Sequence, residues 1–169
     1  MNEPILNRVS KSSLETIDLE TYRLNGNRCF FDIKNILENG FVLRENIFRE
    51  YVKMHDWSKY SNQFVAIGCS SNAILPSWSK LLVAASLKPY AKKVIIGSLE
   101  QLETVLFEKV LNEMDFSKYL NKPVIIKGCS DLSIPESAYG LLINKLQGVA
   151  KKISYGEACS SVPLWKSEK

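Results

Sequence analysis

One segment of the chain is present twice, and this constrains the fold more than any other feature. Residues 56–97 align with residues 115–156 at an offset of 59, with 17 identities over the 42 positions of the first copy. Only roughly 3 identities would be expected by chance from ordinary residue frequencies. The offset is 60 at the Gly-Cys-Ser triplets of residues 68–70 and 128–130, because Lys127 is an extra residue in the second copy. The fold must therefore use the same structural unit twice, with a cysteine at the same point of each.

Each copy predicts a strand, a loop, a helix and a second strand. In the first copy, Phe64–Gly68 is a short apolar run typical of a strand buried on both faces, and Val94–Ile96 predicts the second strand. Pro76 stands where the first turn of a helix tolerates proline. The second copy repeats this pattern with strands at Val124–Ile126 and Ile153–Tyr155. The helical stripes expected to face the core are Trp78, Leu81, Leu82 and Ala85 in the first copy and, after Pro135, Ala138, Leu141, Leu142, Leu146 and Val149 in the second.

Strands that alternate with helices predict an α/β fold with a mainly parallel sheet, in three layers, α/β/α. We expect a pseudo-two-fold axis between the copies, which gives the strand order 2-1-3-4 and places the two cysteine-bearing strands side by side. Further helices are expected at about Glu45–Met54 and Leu99–Met114. The segment Tyr22–Phe31, with Asn25-Gly26 as its turn, predicts a hairpin that would form an N-terminal β extension.

Length and composition predict one domain over residues 1–169. Its expected parts are an N-terminal tail and β extension (1–43), repeat 1 (44–97), repeat 2 (98–156) and a C-terminal tail (157–169) anchored by Leu164 and Trp165. No apolar run approaches the roughly 18–20 residues that span a bilayer. The first residues also lack the apolar core of a secretory signal. We therefore expect a cytoplasmic protein without membrane contact, whose four cysteines are reduced.

The formal charge of +4 is spread along the chain, and the repeated basic feature is the pair Lys92-Lys93 with its counterpart Lys151-Lys152. A nucleic-acid surface would show a denser basic stripe with interleaved aromatic residues. We therefore expect no nucleic-acid partner, while a homodimer is left open.

Three cysteines are expected to meet at one rim of the sheet. In doubly wound sheets, ligands bind beyond the carboxyl ends of the strands, where the strand order reverses. Cys69 and Cys129 follow the first strand of each copy, and Cys159 follows the fourth strand. Helix N-termini next to Cys69 and Cys129 would favour thiolate over thiol. Three thiolates predict a site for zinc or iron with an open fourth position, although buried structural cysteines would give the same pattern.

The fourth ligand is open from the sequence, with Asp131, Glu157, Glu100, His55 or water as candidates. His55 is the only histidine, but it precedes the first strand. An extended strand of five residues would place it about 17 Å from the cysteine end, unless the loop folds back. We expect it to be structural. Cys29 stands outside the duplication and is expected to be a core or edge thiol.

Two other functions remain open. One cysteine could act as a thiol or persulfide sulfur carrier, because a thiol with a depressed pKa needs no histidine base for that role. Alternatively, the protein is a non-catalytic interaction protein whose cysteines are structural. No P-loop, GxGxxG, HExxH or GxSxG pattern is present, and no acid–base pair accompanies the cysteines, so we do not expect an enzyme.

Several short stretches of the chain are specific in sequence, among them Asp56-Trp-Ser-Lys-Tyr60, Gly128-Cys-Ser130 and Gly156-Glu-Ala-Cys-Ser160. In these stretches the chain resembles a bacterial family, domain of unknown function 2480, found mainly in Bacteroidetes. The resemblance implies that Cys69, Cys129 and Cys159 belong to the family pattern and that Cys29 does not. Its members are often encoded near the sulfur-mobilisation system, which implies iron–sulfur assembly proteins as partners. The leading hypothesis is a thiolate metal-binding accessory factor in iron–sulfur cluster or metal and sulfur handling.

Overall fold

The computed structural model describes residues 13–128, 132 and 134–168. The chain divides into two compact units, each with its own sheet. Unit 1 comprises Met1–Arg23 and Leu106–Lys169, and unit 2 comprises Leu24–Val105. The single domain expected over residues 1–169 stays a prediction.

Seven strands and four α-helices are present in the described residues. The strands are β1 (Glu15–Ile17), β2 (Arg28–Asp32), β3 (Phe64–Gly68), β4 (Lys93–Ile96), β5 (Pro123–Ile126), β6 (Lys152–Tyr155) and β7 (Val162–Lys166). The helices are α1 (Glu45–Met54), α2 (Ser77–Leu87), α3 (Leu99–Glu113) and α4 (Glu136–Gln147). The strand–helix–strand pattern predicted for each copy is confirmed, as are the helices predicted before and between the copies.

The sheets are mainly parallel, which confirms the predicted α/β class. Unit 2 has the order β2-β3-β4, and unit 1 has the order β1-β5-β6-β7, in which only β7 is antiparallel. The predicted strand order 2-1-3-4 is wrong, because the cysteine-bearing strands β3 and β5 lie in different sheets. Each copy keeps its own strand pair, and the open side of β3 or β5 is filled by a strand from the N-terminal segment.

The N-terminal segment supplies these edge strands and does not form the predicted hairpin. Strand β1 pairs with β5, and β2 pairs with β3, so the residues around Asn25-Gly26 lead from one sheet to the other. An isolated two-stranded hairpin is marginally stable in water. Parallel pairing with a buried central strand instead places Ile17 and Phe31 in the two cores, where they are 0% and 5% exposed. Burial of these side chains is the physical reason for the observed pairing.

The buried face of α2 matches the predicted stripe only in part. Trp78 and Leu82 pack half-buried against the unit 2 core, but the fully buried residues are Ser79, Val83 and Leu87, and Leu81 is 59% exposed. In α4 the buried residues Ala138, Leu142 and Leu146 confirm the predicted face. The two sets are equivalent at the offset of 59, so the duplication conserves the buried face although Leu81 is more apolar than Ser79.

The end of the chain is a strand where the sequence predicted an extended tail. Strand β7 closes the outer edge of β6, with Lys152 paired to Lys166 and Tyr155 paired to Val162. Trp165 packs against the unit 1 core, whereas Leu164 is 50% exposed and is not part of that core. No helix in the described part of the chain has the length and apolar character to cross a membrane.

Candidate functional site

Asp32 organises the carboxyl end of the unit 2 sheet. It ends β2, and its side chain accepts hydrogen bonds from the backbone amides of Lys34 and Ser70, both at 3.0 Å. Burial opposes ionisation of this carboxyl, but the hydrogen bonds from Ser70 and Lys34 and the Lys34 charge lower its pKa below the usual value. The Ser70 contact ties the start of the cysteine loop to the edge strand.

Cys69 lies in this loop, half-buried and hydrogen-bonded. Its Sγ is 3.2 Å from the Ser71 hydroxyl, and that hydroxyl donates to the Gly40 carbonyl at 2.6 Å. A serine has a single hydroxyl proton, so the Cys69 thiol must be the donor to Ser71. The Ser71 hydroxyl could donate to the Cys69 sulfur only after turning away from Gly40.

An aromatic ring covers the glycine before each cysteine of the duplicated triplet. A Cβ at Gly68 would lie 2.5 Å from the Phe30 ring, and one at Gly128 would lie 2.8 Å from the Tyr155 ring. The Tyr155 hydroxyl also donates to the Gly128 carbonyl at 3.2 Å. The ring comes from β2 in one unit and from β6 in the other. Close packing of a ring on the backbone explains why both triplets begin with glycine.

Charged residues gather at the carboxyl end of the unit 1 sheet. The Lys127 ammonium contacts the Asp18 carboxylate at 2.8 Å. The hydrogen bond and charge of Asp18, with the charges of Glu20 and Glu157, raise the pKa of Lys127. Glu20 also accepts a hydrogen bond from the Leu132 amide at 2.6 Å. The extra residue of the second copy is thus part of an ion-pair cluster that sequence reasoning missed.

Asp18 and Asp32 occupy equivalent places in the two units. Each lies at the carboxyl end of an edge strand and caps a 3₁₀ turn, Leu19–Tyr22 or Ile33–Ile36, by accepting a hydrogen bond from the amide two residues ahead. The short patterns Thr-Ile-Asp-Leu at residues 16–19 and Phe-Phe-Asp-Ile at residues 30–33 were the signal in the sequence. The two edge strands therefore have the same role in the two units, although both lie outside the region that aligns by identity.

Cys159 lies on the turn that joins β6 to β7, and it is exposed. The turn is tight because Gly156 has a φ of +113°, and a Cβ there would meet the Ser160 carbonyl oxygen at 3.2 Å. The Ser160 amide donates to the Glu157 carbonyl at 3.0 Å. The Cys159 sulfur is 4.0 Å from the Ser160 hydroxyl, a weak contact. Its thiol is therefore open to reagents and partners.

The structure does not assemble the predicted metal site from the described residues. Cys129 and the candidate ligand Asp131 lie outside them. Within residues 13–128, 132 and 134–168, no group of three His, Cys, Asp or Glu side chains could hold a metal ion. Cys69 belongs to unit 2 and Cys159 to unit 1. Glu100 lies exposed in the first turn of α3, and Glu157 lies exposed on the turn after β6.

His55 lies in an aromatic cluster of unit 2. Its ring centroid is 4.5 Å from that of Trp57, 4.9 Å from Tyr51 and 5.9 Å from Phe31 and Tyr60. Nε2 is buried and has no hydrogen-bond partner among the described residues. Since Phe31 pairs with Ile67, the chain before β3 folds back, and the extended-strand estimate of about 17 Å does not apply.

Cys29 lies on the edge strand β2, as expected for a core or edge thiol. It packs half-buried against the unit 2 core. Burial raises its pKa, only partly offset by the charge of Lys59, so this thiol is less readily ionised than a free one. These properties make Cys29 a matched control for the other cysteines.

A cleft of about 820 Å³ lies away from the predicted site, at the amino end of β6 in unit 1. It is lined by the turn at Leu120 and Asn121, by residues 147–150 and by residues 165–168. None of the residues predicted to form the site lines this cleft.

The folds of the two units define a class, a duplicated α/β protein with a mainly parallel sheet in each unit. The chain belongs to the family described as "Protein of unknown function (DUF2480)", whose family model matches residues 3–167. A comparison with curated proteins and one with solved structures gave no match.

Proposed function

We propose that the protein is a non-enzymatic accessory factor that binds a metal ion through the thiols of Cys129 and Cys159. A part for Cys69 among the ligands stays a prediction from the sequence. The observation that carries the proposal is the position of Cys159, exposed on the turn beyond the carboxyl end of β6. Strand β6 is the parallel neighbour of β5, whose chain continues through Gly128 into Cys129. The chain segments that lead toward these two cysteines thus leave neighbouring strands at the same end of one sheet.

The donor type suits soft metals. Thiolate sulfur is the preferred ligand of zinc and of iron in iron–sulfur proteins. A bound zinc or iron ion would supply an open coordination position for an exchangeable ligand. Of these two thiols the described residues contain only that of Cys159, and they hold no complete donor set, so the proposal requires Cys129. Partners from iron–sulfur cluster assembly rest on the family resemblance.

Elemental analysis of protein purified without chelator tests the proposal. We expect zinc or iron near one equivalent, and a loss of most of it in Cys129→Ser and Cys159→Ser. Cys29→Ser is the matched control and should keep its metal, because that thiol lies on β2 and has a raised pKa. Metal well below one equivalent in the unmodified protein, or equal content in all variants, would overturn the proposal.

A second candidate, a persulfide carrier, is favoured by the exposure of Cys159 without a complete ligand set around it. The Cys159 thiolate would attack the outer sulfur of a donor persulfide. The donor's S–S bond breaks, the donor leaves as a thiolate, and Cys159 keeps the transferred sulfur as a persulfide. The attacking thiol's proton passes to the departing thiolate or to water, and no external oxidant or reductant is consumed.

Mass spectrometry after incubation with a cysteine desulfurase and cysteine tests this candidate. A carrier gains one sulfur atom, and Cys159→Ser abolishes the gain while Cys29→Ser keeps it. Gain of sulfur by Cys159→Ser would exclude this residue as the carrier. Protein that takes up neither metal nor sulfur would leave the non-catalytic interaction protein with structural cysteines as the remaining hypothesis.

A further inference from the structure

We propose that the outer edge of β4 pairs with the same edge of a second copy of this chain, in antiparallel orientation. Strand β4 is the last strand of the unit 2 sheet, and no described residue pairs with its outer side. The proposal is independent of the cysteines and of their function.

The backbone of β4 presents donors and acceptors on this outer side. The Lys92 amide donates to the Gln63 carbonyl of the loop before β3. Because backbone groups alternate along a strand, the amides of Lys93 and Ile95 point away from β3. Lys93 is exposed, and Ile96 is 44% exposed. Unpaired backbone amides and carbonyls along a strand edge can form hydrogen bonds with another strand.

The duplicated unit shows that this edge accepts an antiparallel strand. Residues 93–96 correspond to β6 at the offset of 59, and β6 carries β7 on its outer side. Lysines on an edge often discourage pairing. In unit 1 they do not, since β7 is paired there with Lys152 directly opposite Lys166. Lys93 is the counterpart of Lys152 and is therefore no barrier.

Charge and pairing geometry select a second copy as the occupant. In an antiparallel pair, a residue whose amide points outward lies opposite a residue of the other strand whose amide also points outward. Two copies can therefore pair with Val94 opposite Val94, which places Lys93 opposite the second copy's Ile95. This register places Lys92 opposite the second copy's Ile96. The Lys92-Lys93 pair of one copy therefore does not face the same pair of the other copy. The register also brings each lysine pair toward the end of the other strand, where Glu100 lies in the first turn of α3.

Exposed apolar side chains flank the same edge. Tyr90 is 43% exposed just before β4, and Leu99 is 42% exposed just after it. Antiparallel pairing brings the Tyr90 end of one copy to the Leu99 end of the other, so both would lose contact with water. The paired strands are only four residues long, and small interfaces of this kind give weak association. We therefore expect a dimer that forms with rising concentration.

Sedimentation analysis between about 5 μM and 500 μM, together with hydrogen exchange, tests the pairing. We expect the Lys93 and Ile95 amides to exchange more slowly at the higher concentration, by about tenfold or more. The Val94 amide, which points toward β3, should be protected at both concentrations. A protein that stays monomeric at the higher concentration, or a dimer in which Lys93 and Ile95 exchange freely, would overturn the proposal.

Charge substitutions at Ile96 provide a matched pair of variants. Ile96→Glu puts a carboxylate opposite Lys92 of the second copy, whereas Ile96→Lys puts a like charge there. Cross-strand charge pairs occur twice in the dimer, so Ile96→Glu should dimerise at least about fivefold more tightly than Ile96→Lys. Ile74→Lys, at a residue that is 97% exposed and remote from β4 in sequence, should not change dimerisation. Equal association of Ile96→Glu and Ile96→Lys would overturn the pairing register.

Discussion

At the scale of single residues, His55 is held in a surrounding that disfavours its charged form. Burial among aromatic rings lowers its pKa, the nearby Lys59 charge lowers it further, and Asp56 opposes both only in part. Its Nε2 atom is buried without a hydrogen-bond partner in the described part of the chain. Protonation would therefore place an unpaired charge next to Trp57 and Tyr51.

We predict that stability falls as pH drops through the ordinary imidazole pKa of about 6.5. The unfolded chain takes up a proton there, while the folded protein does so only at lower pH. The free energy of unfolding from urea titrations should be constant above pH 7, fall below it, and level off once folded His55 is protonated.

His55→Phe keeps a ring in the cluster and should remove most of the slope between pH 7 and pH 5. No other histidine titrates in this range. The carboxyls of Glu15, Asp32, Asp56 and Asp115 have lowered pKa values and act below pH 5. An unchanged slope in His55→Phe would show that His55 is not the source.

At the scale of elements, the duplication is a better guide to the buried side of α2 than local hydrophobicity. Trp78, Leu81 and Leu82 suggested one stripe, and Trp78 and Leu82 do pack half-buried against the core, yet the fully buried positions are those that match the buried face of α4. Ser79 is buried because its hydroxyl donates to the Pro76 carbonyl at 2.8 Å, which satisfies it without water. A small polar residue at a helix start can thus lie in a core.

Two leucine-to-alanine substitutions in α2 test which side of this helix is buried. Leu87→Ala removes a side chain that is 0% exposed and should cost about 2–5 kcal/mol of unfolding free energy. Leu81→Ala changes a side chain that is 59% exposed and should cost within about 0.5 kcal/mol. Urea denaturation measures both. A larger loss for Leu81→Ala would restore the stripe predicted from the sequence.

At the scale of the whole molecule, the distinctive feature is that the two N-terminal strands join different sheets. Strand β1 joins the second copy, where Glu15 pairs with Val124, and β2 joins the first copy, where Arg28 pairs with Phe64. Each unit thereby gains a third parallel strand beside its central strand. Unit 1 is consequently assembled from both ends of the chain.

The pairing of β1 with β5 predicts which sheet a mutation in β1 destabilises. Ile17 is 0% exposed in the unit 1 core, so Ile17→Ala should cost about 2–5 kcal/mol there. Native-state hydrogen exchange should accelerate more in β5 than in β3. The control is Phe31→Ala in β2, which should reverse the order. Greater acceleration in β3 for Ile17→Ala would contradict the pairing of β1 with β5.

Residue order alone determined the repeated unit and most element bounds. The 17 identities of the alignment located both strand–helix–strand copies, and the predicted segment Glu45–Met54 has the bounds of α1. Such elements are encoded locally, in apolar runs, helical periodicity and proline positions. The candidate cysteines could also be identified from the sequence, because Cys69 and Cys129 align between the two copies and Cys159 follows the last predicted strand of the second copy.

Only the tertiary structure decided which strands pair and how the polar groups at the sheet ends are connected. A hairpin around Asn25-Gly26 is favoured by local turn chemistry, but Ile17 and Phe31 gain more by burial against strands far away in sequence. The contacts of Lys127 with Asp18 and of Ser70 with Asp32 follow from that pairing. Which strands pair depends on burial between segments that are far apart in the sequence, so short sequence patterns do not determine it.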